Sequence, residues 1–441
     1  MTAAYHSSQY ARDVPPASYW RDSAGVLPLQ LMSSLPSRVA VAVIGGGYTG
    51  LNAALELARA GRDVLVLEAA TTGWGASGRN GGFCCLGSSM HDHETLMRRY
   101  GEAQADAFRQ AQYDAIGHVR RLIAGMDDNC DMSGEGELEL AHSRRQWRRM
   151  QRQTGKDDAR LLDMADLHRE GYAVSGVYGA RYVRAGFGLH PLKYVHALAR
   201  QVLAAGGRIA ENCPVSAVIP AGGGFELQTA RGAVRADRVV LAGNGYTPRG
   251  LRRETDSGLL PVLSSIVVTR PLEAAEMAAQ GWKGEIMAYD SRHLLHYFRL
   301  LPGGRLLMGG RGGLSGAPGE AHHIRQRLQR QIGLYFPAWR HVPVTHFWQG
   351  FVCLARDLLP HAGMFEGTPG FFHALAYHGN GVAMASWLGA RIGKVAAGVL
   401  TMEEAVPALL RHPLPPFPLP VLRKAWLRGA YGWYRLADRF G

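Results

Sequence analysis

Cysteine is scarce in this chain of 441 residues: five occur, at positions 84, 85, 130, 213 and 353, and an odd number cannot all pair. None forms a Cys-x-x-Cys pair, and neither the cysteines nor the 18 histidines fall at a recognisable metal-ligand spacing. A reduced, cytoplasmic chain with no metal centre is the expectation. Lysine is equally rare, with five against 44 arginines, a ratio that resembles coding bias in a GC-rich genome more than a binding surface. Charged residues make up 19% and apolar residues 47%, which excludes a disordered chain and a coiled coil. Long apolar runs are missing too. Met1 to Gln30 has no apolar core of signal-peptide length, and Val382 to Leu400 is broken by Arg391 and Lys394, so no membrane span is expected. No fixed-period repeat is present.

Glycine, by contrast, is abundant: 56 of 441 residues is about 13%, where roughly 7% is usual. The length allows two or three domains and a sizeable core. A net charge of +13 leaves nucleic acid, membrane surface and acidic substrate open as partners. The densest basic cluster, Arg144-Arg145-Gln146-Trp147-Arg148-Arg149 with Arg152, reads as a solvated helical face.

The first chemical signal lies near the N-terminus. Val39 to Ile44 reads as a buried parallel strand and runs into Gly45-Gly46-Gly47-Tyr48-Thr49-Gly50, a Gly-x-Gly-x-x-Gly. Leu51, Ala54, Leu55 and Ala58 recur at helical spacing, and a second strand, Val64 to Leu67, ends at Glu68. Gly45 permits the tight turn, Gly47 lets backbone approach a pyrophosphate, and Gly50 lets helix and strand pack closely. Glu68 can accept hydrogen bonds from ribose hydroxyls, which disfavours NADP and leaves FAD and NAD.

Immediately after this acid comes a second glycine-rich segment, Gly73-Trp74-Gly75-Ala76-Ser77-Gly78-Arg79-Asn80-Gly81-Gly82. With it, the sequence resembles the FAD-dependent amine and amino-acid oxidases of the D-amino-acid oxidase superfamily, in particular the γ-glutamylputrescine oxidase-like branch. The resemblance extends through Ser18-Tyr19-Trp20, Gly188-Leu189-His190-Pro191, Val239 to Tyr246, Arg305 to Gly310 and Tyr377-His378-Gly379-Asn380-Gly381-Val382.

That resemblance implies an α/β (α+β) fold of two domains: a discontinuous Rossmann-type FAD-binding domain and a mixed-sheet substrate domain. The corresponding divisions are an N-terminal arm (1–36), an FAD-binding domain (37–90, 185–250, 350–400), a substrate domain (91–184, 255–348) and a C-terminal extension (401–441). Gly45, Gly47, Tyr48, Thr49, Gly50, Glu68 and Ala69 would then serve the nucleotide. Gly75, Ala76, Ser77, Arg79 and Asn80 would lie along the pyrophosphate and ribityl chain, with Gly81 and Gly82 passing close to the flavin ring. Val215 matches the backbone contact to adenine, and Gly243 lies in a further matching segment. Gly379, Asn380, Gly381 and Val382 would open a helix toward the flavin's pyrimidine edge, where a helix N-terminus stabilises negative charge. The family's usual attachment histidine is replaced by Arg79 and Asn80, so FAD is expected to be non-covalent.

The resemblance also implies a reaction: oxidation of a primary or secondary amine to an imine that hydrolyses to a carbonyl compound, with O2 the acceptor and H2O2 the product. Related amino-acid oxidases carry an Arg in a Trp-x-Gly-x-Arg pattern to grip the substrate carboxylate. This chain has Trp348-Gln349-Gly350-Phe351-Val352, and Val352 has no donor. That departure favours an amine whose anionic group lies further from nitrogen, as in γ-glutamylputrescine, over an N-alkyl or D-amino acid. Candidate site residues are His378, Trp348, Tyr297, Arg299, His296 and Tyr289, with Arg311 a further candidate grip for the anion. A tRNA-modifying flavoprotein is the remote alternative, and no nucleic-acid partner is expected. In the extension, His412 to Pro420 reads as polyproline-like. The aromatic and basic stretch after it is expected to pack back on the body or on another subunit, with peripheral membrane contact as the second reading.

Overall fold

A computed structural model describes residues 5–14, 16–28, 32, 34–153 and 159–440. The expected N-terminal arm therefore lies partly outside the described residues. The chain builds two eight-stranded sheets and a two-stranded ribbon.

The first sheet runs in the order His361–Met364, Phe371–Leu375, Gly232–Leu241, Arg38–Ile44, Val64–Leu67, Arg208–Ala210, with the hairpin Val215–Ala221/Gly224–Thr229 pairing onto Gly232–Leu241. The turn of that hairpin is the Gly222-Gly223 pair, both at positive φ. Its central strands are parallel, with Ile44 level with both Leu67 and Leu241. Leu241 is in turn level with His373. The loops beginning at Gly45, Glu68 and Ala242 consequently leave one edge of the sheet together, the edge at which open parallel sheets bind ligands.

Two helices cover one face. Tyr48–Arg59 follows the first strand, and Gly381–Ala397 follows the last. They cross closely because Gly389 and Gly393 have no side chains. A Cβ on Gly389 would collide with the Thr49 carbonyl, and one on Gly393 would stand 2.6 Å from the Ala53 carbonyl oxygen. This spacing of two glycines four apart is a helix-contact signal in the sequence that the glycine-rich loops overshadow.

The second sheet runs Val344–Ala355, Leu259–Pro271, Arg305–Arg311, His296–Leu301, Met287–Asp290, Glu137–Leu140, Ala180–Val183, Ala159–Leu162. Met287–Asp290 pairs in parallel with Glu137–Leu140 and the other pairs are antiparallel, so the sheet is mixed. Residues 350–355, grouped by resemblance with the nucleotide-binding segments, continue the strand Val344–Ala355 and pair with Leu259–Ser264 in this sheet. The arginine cluster forms the helix Arg144–Gln153, with Arg144, Arg145, Arg148 and Arg149 exposed.

Burial sets the response to acid. His190, His373 and His378 are buried, and desolvation pushes each down to about 3 from an ordinary 6.5. Below pH 6.5 the unfolded chain takes up protons that the folded chain refuses, so each histidine withdraws roughly 1.4 kcal/mol per pH unit as pH falls toward 3. Glu137 and Glu68 oppose them: burial raises both carboxyls, that of Glu137 to about 8, so both favour the folded state at lower pH. The three histidines outweigh the two carboxyls, and His118 and His196, pushed down to about 4, add to their side. Thermal melts in a pH series should show the midpoint falling between pH 6.5 and 4.5, and a midpoint that holds or rises would refute this balance.

Candidate active site

At the ligand-binding edge of the first sheet lies a cleft lined by Gly45, Gly47, Tyr48, Thr49, Glu68, Ala69, Gly75, Ala76, Ser77, Asn80, Val215, Gly243, Gly379 and Gly381. The sequence motifs, scattered over more than 300 positions, converge on this cleft because four strand ends and two helix starts meet there. Glu68 is fixed by the backbone N–H groups of Gly46 (2.6 Å) and Ala70 (2.9 Å), while burial raises its pKa. The Ser77 hydroxyl accepts from Tyr48 N–H at 2.9 Å, tying the second glycine segment to the start of the first helix. Gly50 stands behind the cleft, where a Cβ would collide with the Gly45 carbonyl oxygen. Tyr10 and Arg12 of the arm also line the cleft. No local motif announces them.

A second cavity of about 390 Å³ adjoins the first, and Ala76, Asn80, Phe351, Val352, His378 and Gly379 line both. Arg79, Gly81, Tyr289, Tyr297, Arg311, Asn380 and Val382 complete the walls that matter here. Arg79 lies with its guanidinium 4.1 Å from the Trp74 ring and donates to the Trp74 carbonyl at 2.7 Å. Tyr297 faces the cavity across Gly309, where any Cβ would strike its ring, and its hydroxyl is 3.1 Å from Ser264 Oγ. Tyr289 is its cross-strand neighbour.

Arg311 is a cation on the wall of this cavity. Its guanidinium donates to the His293 carbonyl at 3.3 Å and has no carboxylate partner among the described residues. Burial lowers its pKa, and an arginine stays charged all the same.

His378 lines both cavities with a left-handed φ of 55°. Its Nε2 accepts from Ala355 N–H at 3.3 Å, which puts the ring proton on Nδ1, and Nδ1 is buried without a partner. Asn380 donates to the Cys85 carbonyl and to Ser88 Oγ, while its own Oδ1 is also buried without a partner. Trp74 Nε1 is a third such atom on a cleft residue. The helix Gly381–Ala397 begins here with no acid in its first turn, so its N–H groups add positive potential.

Besides Gly50, four of the sequence candidates stand outside both cavities. Trp348 is buried and donates to the Arg79 carbonyl at 2.8 Å, so it holds the glycine segment from behind. Arg299 is buried with its guanidinium on the carbonyls of Leu189 (2.6 Å) and Gly81 (3.2 Å), and burial draws its pKa down to about 10. It props the Gly81-Gly82 turn and has no substrate-gripping position. His296 points to the opposite face of its strand from Tyr297 and pairs with Asp290 at 3.0 Å, where Asp290 also accepts from Tyr335. Gly82 packs beneath the Leu189 carbonyl at φ 73°.

The C-terminal helix Arg423–Phe440 packs back on the body. Asp438 accepts from the backbone N–H groups of His293 (2.8 Å) and Leu294 (3.1 Å), and Tyr434 stacks on the His293 ring. Leu427, Tyr431 and Tyr434 wall a pocket that Arg311 and Val352 share with the second cavity.

Among known proteins, residues 40–394 match the family model described as DAO, FAD dependent oxidoreductase. The chain is 32% identical over 411 residues to a probable oxidoreductase OrdL of Rhizobium meliloti (strain 1021), covering 91% of this chain and 92% of that one. It is 29% identical over 413 residues to gamma-glutamylputrescine oxidoreductase of Escherichia coli (strain K12), covering 91% and 93%. Among solved structures it is similar to glycine oxidase from Geobacillus kaustophilus, with TM-score 0.69 and 20% identity over 87% of this chain and 100% of that one.

Proposed function

The chain belongs to the DAO family of FAD-dependent oxidoreductases, and from that premise we propose that it oxidises a primary or secondary amine whose anionic group lies remote from nitrogen. The products are an imine, which water hydrolyses to a carbonyl compound and a free amine or ammonia, and H2O2 from O2 as acceptor. The residues fit the cofactor. Buried polar atoms on Trp74, His378 and Asn380 lack partners, and Gly381 has open space where a side chain would stand. Gly45, Gly47, Glu68 and Ser77 would hold the dinucleotide, and the Arg79-Asn80 pair in place of a histidine supports non-covalent attachment. Bound FAD supplies the two-electron acceptor for the carbon next to nitrogen.

The observation that carries the substrate reading is Arg311, a cation on the cavity wall with no carboxylate partner among the described residues. A carboxylate on the substrate would complete it with charge-assisted hydrogen bonds. Val352, on the same wall, offers no donor at the position where amino-acid oxidases of this family grip a carboxylate close to nitrogen. Tyr289 and Tyr297 supply apolar walls that exclude water and keep the amine in its uncharged, oxidisable form. The relative that acts on gamma-glutamylputrescine supports the same class of amine. The five free cysteines support a reducing, cytoplasmic setting.

Peroxide release measured on γ-glutamylputrescine, on its carboxyl-masked methyl ester and on a set of α-amino acids tests this. The free carboxylate compound should have the lowest KM. Preference for α-amino acids would overturn the reading.

A further inference from the structure

We propose that the outer face of the C-terminal helix binds the surface of an anionic lipid bilayer, holding the enzyme at the membrane by one amphipathic helix. The helix has two faces with different occupants. Leu427, Tyr431 and Asp438 turn inward, the first two buried and the third bonded to His293 and Leu294. Trp426, Trp433 and Leu436 fall on the opposite side at helical spacing, and all stay exposed, Trp426 at 55% and Trp433 at 69%. Leu419, Val421 and Leu422, just before the helix, extend the stripe and are also exposed.

Large apolar side chains in a row facing water are costly for a protein that leaves them uncovered. The charges on the flank of the helix, between this stripe and the body, indicate what covers it. Arg428 and Arg435 are exposed, and neither has a carboxylate partner among the described residues. Asp438, the single acid between 423 and 440, is spent on the inner contact. The outward side of the helix is therefore apolar, with a basic flank between it and the body and no acid on it. Two tryptophans in an apolar stripe, with arginines on one flank long enough to reach up to headgroups, match the boundary between headgroups and acyl chains, where indole rings settle and anionic headgroups attract cations. Among the described residues no helix is long and apolar enough to cross a membrane, so the contact is peripheral.

The test uses the FAD-loaded enzyme sedimented with vesicles of phosphatidylcholine alone or mixed with phosphatidylglycerol. It should pellet with the mixed vesicles, stay in solution with phosphatidylcholine alone, and leave the mixed vesicles at ~1 M salt, where charges are screened within a few ångström. The double variant Trp426→Ser/Trp433→Ser should lose roughly tenfold or more of its partitioning, and Arg428→Glu/Arg435→Glu should also lose it. An unchanged flavin spectrum and melting midpoint in both variants exclude misfolding as the cause. Pelleting that the substitutions do not alter, or no pelleting with either vesicle, would overturn the proposal. So would a dimer formed without lipid and broken by Trp426→Ser/Trp433→Ser, since a second copy would then cover the stripe. Sedimentation does not depend on which amine is oxidised, so this outcome and the substrate reading stand or fall separately.

Discussion

Replacing Arg311 by Met should raise KM for γ-glutamylputrescine by roughly 10- to 150-fold while leaving KM for an amine of similar length without a carboxylate nearly unchanged. The size follows from the bond lost: a hydrogen bond to a charged group is worth roughly 1.5–3 kcal/mol, and each 1.4 kcal/mol is a factor of about ten. Arg311 holds the non-reacting end of the substrate, so its contribution is the same in the ground and transition states and appears in KM more than in kcat. Arg311→Lys keeps the charge but loses the planar fork, and should fall between the two. Methionine fills similar volume, so the adjoining walls at Tyr297 and Gly379 need not collapse. Equal losses for the charged and uncharged amines would mean that Arg311 shapes the cavity without recognising an anion.

Replacing Gly50 by Ala should abolish FAD binding and lower stability by about 3 kcal/mol or more. The added methyl group would lie inside the van der Waals envelope of the Gly45 carbonyl oxygen, and the Gly45 carbonyl carbon would stand 3.1 Å away. Both obstacles are backbone, so no side-chain rotation relieves them, and the helix would have to lift from the strand that positions the loop. Gly432→Ala, on the C-terminal helix with nothing within 4 Å, is the matched control and should be neutral or stabilising by about 0.5–1 kcal/mol. Visible absorbance of the purified proteins together with thermal melts reads both effects. A yellow, stable Gly50→Ala protein would contradict the close packing of this turn.

What could be read from the residues was local, and what could not was spread across the fold. The strand, glycines, helix and Glu68 between Val39 and Glu68 form one continuous unit, so their order along the chain is also their order in space. The loops at Gly75–Asn80, Val215, Gly243 and Gly379 were reachable through resemblance, and they line the same cleft. The second sheet was harder. On the strand His296–Leu301, side chains alternate between faces, so His296 and Tyr297 cannot share a cavity, and Arg299 lies deeper on the Tyr297 side beneath the Gly81 turn. A list of polar residues on one strand does not distinguish these places. Arg311 separates from Arg299 only when its neighbours are known: Arg299 meets two carbonyls at close range, while Arg311 is left to the cavity. The helix crossing at Gly389 and Gly393 and the arm residues Tyr10 and Arg12 depend on contacts between segments more than 200 positions apart. The tail's inner face likewise became evident only through Asp438 on the loop at His293.

Electron transfer to FAD from an amine bearing a remote carboxylate is read most directly without the final acceptor. The purified flavoprotein is mixed with γ-glutamylputrescine in the absence of oxygen, and the visible flavin band is followed. The band should bleach rapidly at substrate concentrations where α-amino acids leave it unchanged, and it should return on admitting air. Protein that carries no flavin, or flavin that α-amino acids bleach while the γ-glutamyl amine does not, would contradict it.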